Sequence, residues 1–282
     1  MTLIADRPAW RAFRRNPTAM IGLTLVTLVV LVAVFADWIA PYPSHAGPIG
    51  DFAAMTAEPS ARFLLGTDTI GRDLLTRLLY AYRLSLEMAA VVLAIATPIG
   101  VVVGLLAGYL GAAWSYGLMR LTDGFLSIPP LVLAMSITGF LEPSAIHGMI
   151  AITAMWWPWY ARLAYNLTRA EKQEGYVLAA ETIGASLPHL LFREILPNCV
   201  PAILTKMTID VGFVILIASS MSFLGLGAQA PTPDLGSMVA DGAKYMPDAW
   251  WLTVFPAIAI LIVVMGFNLL GDGLREAADA HR

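Results

Sequence analysis

The strongest constraint on this chain is a series of apolar runs, each long enough to cross a lipid bilayer. A helix needs about 20 predominantly apolar residues to span the hydrocarbon core. Six segments meet that length, at roughly 18–39, 84–110, 117–140, 145–165, 205–227 and 250–271. Lipid offers backbone N–H and C=O groups no partner, so such segments must fold as helices. The predicted class is therefore all-α, a polytopic membrane protein of six transmembrane helices. Composition agrees. The chain is 58% hydrophobic and 13% charged, with a mean hydropathy of +0.72, whereas a soluble domain carries about 25% charged residues. Breaks such as Pro98, Pro129–Pro130, Pro158 and Pro256 interrupt several runs. Broken helices need neighbours or water to satisfy the freed backbone groups, which points to a packed bundle.

The first run follows Arg7, Arg11, Arg14 and Arg15, as a signal peptide would. A secretory apolar region is only about 7–15 residues long, so this longer run is read as a retained span. The expected division is a cytoplasmic tail over 1–17, the first span over 18–39 and an outer loop over 40–83. A core over 84–272 follows, containing an inner loop at 166–204, and then a cytoplasmic tail over 273–282. Lys and Arg concentrate on the cytoplasmic side of membrane proteins. With the N-terminus inside, 12 of them fall inside and 5 outside, so both termini are expected in the cytoplasm. Outer Arg72, Arg77 and Arg83 fall in a stretch where Leu74, Leu75, Leu78 and Leu79 share a helical face. That stretch is expected to form an amphipathic helix at the membrane surface.

Several chemistries are excluded by residue types. A net charge of −3 gives no basic field for nucleic acid. Cys199 stands alone, and His45, His147, His189 and His281 form no closely spaced ligand motif. No Gly-x-Ser-x-Gly elbow occurs. A phosphate-binding P-loop needs Gly-Lys followed by Ser or Thr. Lys172, Lys206 and Lys244 follow Glu171, Thr205 and Ala243, so any ATPase must be another chain.

Charges near the spans recur at helical spacing, as Arg83 with Glu87, Arg120 with Asp123 and Lys206 with Asp210. Each pair is expected to neutralise itself on one helix face. Gly100, Gly104 and Gly108 form a ridge that lets another backbone approach closely, or alternatively a hinge. Trp250 and Trp251 read as interfacial anchors, and Trp156, Trp157 and Trp159 as packing or pathway residues.

The inner loop carries a short helical pattern in which Tyr176, Ala179, Ala180 and Ile183 share a shallow face. Gly184 is suited to end that helix, and Pro197 to restart the chain toward the fifth span. A small, smooth cytoplasmic helix fits a groove in a partner protein. This loop resembles the EAA loop of binding-protein-dependent ABC importer permeases. Ala179 and Ala180 match its alanines, Gly184 its glycine and Leu196–Pro197 its Leu-Pro, while Leu178 stands where the family most often has Glu. Glu181 or Glu174 is a candidate to replace that charge. The resemblance continues in Leu65-Gly-Thr-Asp-Thr-Ile-Gly-Arg-Asp, Met119-Arg-Leu-Thr-Asp, Leu224-Gly-Leu-Gly-Ala and Phe267-Asn-Leu-Leu-Gly-Asp. Together these are similar to the C-type subunits of dipeptide, oligopeptide and nickel permeases.

The resemblance implies a type I ABC importer fold in a bacterial inner membrane. It also implies a B-type permease partner, two ABC ATPase subunits and an extracytoplasmic binding protein. ATP and magnesium would be bound by the ATPases, with no cofactor in this chain. Tyr176, Ala179, Ala180, Glu181, Ile183, Gly184 and Ala185, with Leu196 and Pro197, form the expected ATPase-coupling loop. Peptides lead as cargo, with nickel or glutathione as alternatives. An ion-coupled secondary transporter would instead show mid-span charges and inverted halves, and a membrane-embedded enzyme would show paired carboxylates or His-rich motifs.

Overall fold

A computed structural model describes Trp10 and residues 13–279. Arg7, Arg11, His281 and Arg282 lie outside the described residues. Helix α1, Pro17–Val34, begins behind Asn16, whose side-chain oxygen accepts from the backbone N–H groups of Thr18 and Ala19. Proline is tolerated at the first helical position because its missing N–H would have no intrahelical partner there. The short α2, Ala36–Ile39, ends the first span.

Helix α3, Leu74–Tyr109, is 36 residues long and is capped by the Asp73 carboxylate on the N–H of Thr76. At about 1.5 Å per residue it measures roughly 54 Å, well beyond the hydrocarbon core. The amphipathic stretch and the second span are therefore one continuous helix, which corrects the expected boundary at 83. Helices α4, Ala112–Leu126, and α5, Pro130–Gly139, replace the expected third span and meet at an 84° bend. The cause is local. A residue before proline is disfavoured from helical geometry, and Pro129 adopts φ −53° and ψ 130° ahead of Pro130.

Helix α6 is Ala145–Glu171, α7 is Gly175–Thr182 and α8 is Leu187–Phe223. The start of α8 includes a π-helical stretch, Leu190–Ile195, closed by a bond from the Leu196 N–H to the Leu191 carbonyl. Pro197 therefore does not restart the chain; it lies within a helix whose wider turn accommodates a residue that cannot donate. Helix α9, Leu235–Ala243, and α10, Trp251–Asp279, complete the bundle.

Among the described residues, helices α1, α3, α8 and α10 are long and apolar enough to cross a membrane, and the bent α4–α5 pair is a broken span or a re-entrant loop. Against the six expected spans, four helices meet that criterion, or five with the bent pair counted as one. Helix α6, at the place of the expected fourth span, carries His147, Arg162 and Asn166, which lower its apolar character. It packs most extensively against α3. A helix facing other helices needs less apolar surface than one facing lipid.

The segment 40–73 folds as a cap over the start of α3. Asp68 accepts from Arg72 Nε at 2.6 Å and from the backbone N–H groups of Ile70 and Arg72. Its carboxylate lies 3.6 Å from Arg77 Nε, and Arg77 also donates to the Pro231 carbonyl. Arg72 and Arg77 therefore hold protein rather than lying on a membrane surface. Trp251 is only 4% exposed. Its Nε1 donates to the Thr67 carbonyl, and its ring lies so close to Gly66 that a Cβ there would be 2.8 Å from Nε1. Trp251 is a buried pin; Trp250 remains partly exposed.

Two expected ion pairs are replaced. Arg83 reaches Asp37 at 2.9 Å and donates to the Ala33 and Val34 carbonyls at the end of α1. Asp123 pairs with Arg162 of α6, while Arg120 lies over the Tyr116 ring. In both cases a neighbouring helix offered a better-placed partner than the same helix face. Lys206 and Asp210 do pair within α8, at 3.0 Å.

Candidate coupling surface

The C-terminal ends of α3 and α6 and the N-terminal part of α8 meet around α7. This helix has eight residues, too few to hold itself in water, so its surroundings must fix it. Val177 and Ala180 are buried in the main core with Leu190, Leu191, Ile195 and Cys199. This corrects one detail of the sequence reading: Ala180 faces the chain's own core, not the outer face shared by Tyr176, Ala179 and Ile183. The outer face carries Tyr176, Leu178, Ala179, Thr182 and Ile183, all exposed.

Helix α7 ends in two reversed backbone bonds. The Ala185 N–H donates to the Ala180 carbonyl, and the Gly184 N–H to the Glu181 carbonyl. That closure needs a left-handed residue just past the helix, and Gly184 has φ +83°. Glu181 turns inward, where its carboxylate accepts from the Tyr109 hydroxyl of α3. It therefore does not stand in for a charge on the outer face, whereas Glu174 is exposed at the helix start. Lys172 Nζ donates to the Tyr109 carbonyl at 2.8 Å and lies 4.5 Å from the centre of its ring. The Tyr176 hydroxyl donates to Glu171 and accepts from Asn198 Nδ2 at 2.9 Å. Burial and the bond to Glu171 push the Tyr176 hydroxyl up, so it remains a donor at neutral pH. Ala185 and Leu196 are partly buried against the core, and Pro197 is exposed. Sequence reasoning missed Tyr109, Lys172, Glu171 and Asn198. Tyr109 stands 72 residues from Glu181, and no local spacing announces such a pairing.

The outer face of α7 is apolar where it is most exposed. Ile183 is 85% and Leu178 48% accessible. A large aliphatic side chain on a helix locked from behind is suited to insertion into a neighbouring protein.

Behind α7 the bundle is tightly joined. Gly100, Gly104 and Gly108 of α3 lie against α6. A Cβ on Gly104 would fall 2.4 Å from the Ala161 carbonyl oxygen and 2.6 Å from Ala164 Cβ, and one on Gly100 2.3 Å from the Trp157 carbonyl oxygen. Trp156 packs in the core and donates through Nε1 to Asp210, at 3.0 Å. Asp210 is only 3% exposed and is paired with Lys206, which lies over the Tyr160 ring. Trp157 packs edge-on against Phe125. Trp159 borders a small cleft at the α4–α5 bend, with Phe125 and Pro130. No group of His, Cys, Asp or Glu able to hold a metal ion occurs among the described residues.

Residues 100–281 match the family described as binding-protein-dependent transport system inner membrane component. Residues 7–55 match the N-terminal TM domain of oligopeptide transport permease C. The chain is 40% identical to the probable D,D-dipeptide transport system permease protein of Escherichia coli K12, over 94% of this chain and 88% of that one. It is 40% identical to the di/tripeptide transport system permease protein of Pseudomonas aeruginosa, over 96% and 90%. A glutathione transport system permease protein of Escherichia coli strain 536 is also 40% identical, over 96% and 88%. In the solved inward-facing MetNI methionine ABC transporter, one chain superposes with a TM-score of 0.57 at 19% identity. The match covers 73% of this chain and 96% of that one.

Proposed function

This chain belongs to the family of binding-protein-dependent transport system inner membrane components, and from that premise we propose that it carries peptides through a pathway shared with a second, B-type permease subunit. It is a multi-pass permease of the ABC importer kind, and such a permease works with ATPase subunits and a substrate-binding protein. The finer reading is that two ATPases drive the cycle, one of them docking on the outer face of α7. ATP binding on one side and the loaded binding protein on the other bias one two-state element. Dipeptides and tripeptides lead as cargo because two of the relatives are named for them. The relative named for glutathione favours a γ-linked peptide as the second reading. We read both termini as cytoplasmic, in a bacterial inner-membrane protein, because Lys and Arg concentrate on that side of the expected spans.

The observation that carries the coupling reading is the exposure of Leu178 and Ile183 on a helix whose inner face is fastened to α3, α6 and α8. The test is Ile183→Asp in the complete transporter. An aspartate in a desolvated groove loses the apolar contact and buries a charge, so ATPase retention on purification should fall at least roughly tenfold. Membrane insertion and permease pairing should be unchanged. Wild-type retention together with wild-type dipeptide uptake would overturn the assignment. Competition of labelled dipeptide uptake by glutathione separates the two cargo readings.

A further inference from the structure

The contacts around α7 are unequal in kind. Its buried side chains, Val177 and Ala180, are small, and small apolar groups fix a helix against lifting more than against sliding. Its register is set by polar ties. At the N-terminal half the Tyr176 hydroxyl joins Glu171 of α6 to Asn198 of α8. At the C-terminal half a single tie, Tyr109 to Glu181, reaches α3. Tyr109 is itself held by Lys172, which bonds its carbonyl at 2.8 Å and covers its ring at 4.5 Å. A cation is favourable at that place because the last carbonyls of α3 carry partial negative charge. Three elements thus meet on one aromatic residue.

We propose that Tyr109 is a positioning residue of transport: its hydroxyl, bonded to Glu181, transmits displacement of α7 to α3. The inference rests on the reading of α7 as the ATPase-docking helix. Its physical content is a short stiff path. A hydrogen bond to a carboxylate is shorter and stronger than a neutral one, and the tyrosine ring between backbone and hydroxyl has few rotatable bonds. Beyond Tyr109, α3 is in backbone contact with α6 along Gly100 and Gly104, so the two helices move as one body. A push received at Ile183 is delivered through Glu181 and Tyr109 to a helix of 36 residues. Without the hydroxyl, α7 keeps its apolar seat and its outer face, so the ATPase still docks. What it loses is the fixed relation to α3.

The test uses the full transporter in liposomes, with ATP hydrolysis and uptake of a labelled dipeptide measured on the same vesicles. Tyr109→Phe should retain its ATPases and keep hydrolysis stimulated by the binding protein within about twofold of wild type. Uptake per ATP should fall roughly tenfold, the scale of one lost hydrogen bond to a charged group. Glu181→Ala should behave likewise. Glu181→Gln, which keeps an acceptor oxygen without the charge, should fall between wild type and Glu181→Ala. In the double variant Tyr109→Phe with Glu181→Ala, the loss should be no greater than in either single one. A purely structural role would lower yield and thermal stability without moving uptake per ATP. Wild-type uptake per ATP in Tyr109→Phe, or additive losses in the double variant, would overturn the proposal. If Tyr109→Phe does not assemble, the contrast between Glu181→Ala and Glu181→Gln decides the same question. Failure of the docking reading is seen separately, as unchanged ATPase retention in Ile183→Asp.

Discussion

Whether a glycine is needed depends on what stands where its Cβ would be. Gly104 leaves no room: a Cβ would lie 2.4 Å from the Ala161 carbonyl oxygen, on backbone that cannot swing aside. Gly117 and Gly124 of α4 meet nothing within 4 Å. Gly104→Ala should therefore push α3 and α6 apart and destabilise the bundle by about 1–3 kcal/mol, the usual cost of overpacking. Gly104→Leu should cut the yield of assembled protein further. Gly124→Ala is the matched control and should change neither the melting temperature nor the yield in detergent. Equal behaviour of Gly104→Ala and Gly124→Ala would mean that α3 and α6 do not meet on this ridge. Spacing alone suggested the ridge, but it could not name the facing helix, which lies more than 50 residues away in sequence.

At the scale of helices, legibility followed the range of the cause. Caps, proline breaks and the left-handed Gly184 are local, and the residues responsible sit within a turn of their effect. The helical class and the position of α7 were legible on that basis. The continuity of α3 across residue 83 was not, because an amphipathic turn and a span read as separate elements when only hydropathy is followed. The partners of Arg83 and Asp123 were misread for the opposite reason. Same-face spacing is only a default, and Asp37 and Arg162 come from other helices. Helix α9 was absent from the sequence reading. Its start rests on Asp234, which is buried and accepts from the Ser237 N–H at 2.9 Å. Burial pushes this carboxyl up, against the hydrogen bonds from Ser237 and Gly236 that lower it. A raised folded-state pKa means that the stability Asp234 contributes is greatest below its ordinary value and is lost as pH rises through the folded value. Asp234→Asn keeps a capping oxygen without the charge. It should match or exceed wild-type thermal stability at neutral pH and lose that advantage as pH falls toward the ordinary carboxylate range. Asp234→Ala, with no cap, should lie about 1 kcal/mol below Asp234→Asn at any pH. An asparagine variant less stable than wild type at neutral pH would show that the charged cap outweighs its desolvation.

For the whole molecule, α3 ties orientation to function. Its first residue follows Asp73 in the outer cap, and its last, Tyr109, touches the helix proposed to receive the ATPase. A helix of 36 residues and high hydropathy is longer than the hydrocarbon core is thick. If α3 crosses the membrane, the cap and α7 open to opposite sides of it, whatever the remaining span count. The protein's one cysteine, Cys199, is buried, and introduced cysteines can therefore be labelled over a low background. Glu58 in the cap and Thr182 at the end of α7 are both exposed. His45 is a poor reporter site, because it is buried and its Nδ1 accepts from the Asp73 N–H. With a membrane-impermeant maleimide, Glu58→Cys should label in intact cells. Thr182→Cys should label only after permeabilisation, and less when the ATPases are bound. Labelling of both positions in intact cells would mean that α3 does not span. Labelling of Thr182→Cys alone would invert the orientation, placing the apolar face of α7 where no ATP-driven partner could reach it.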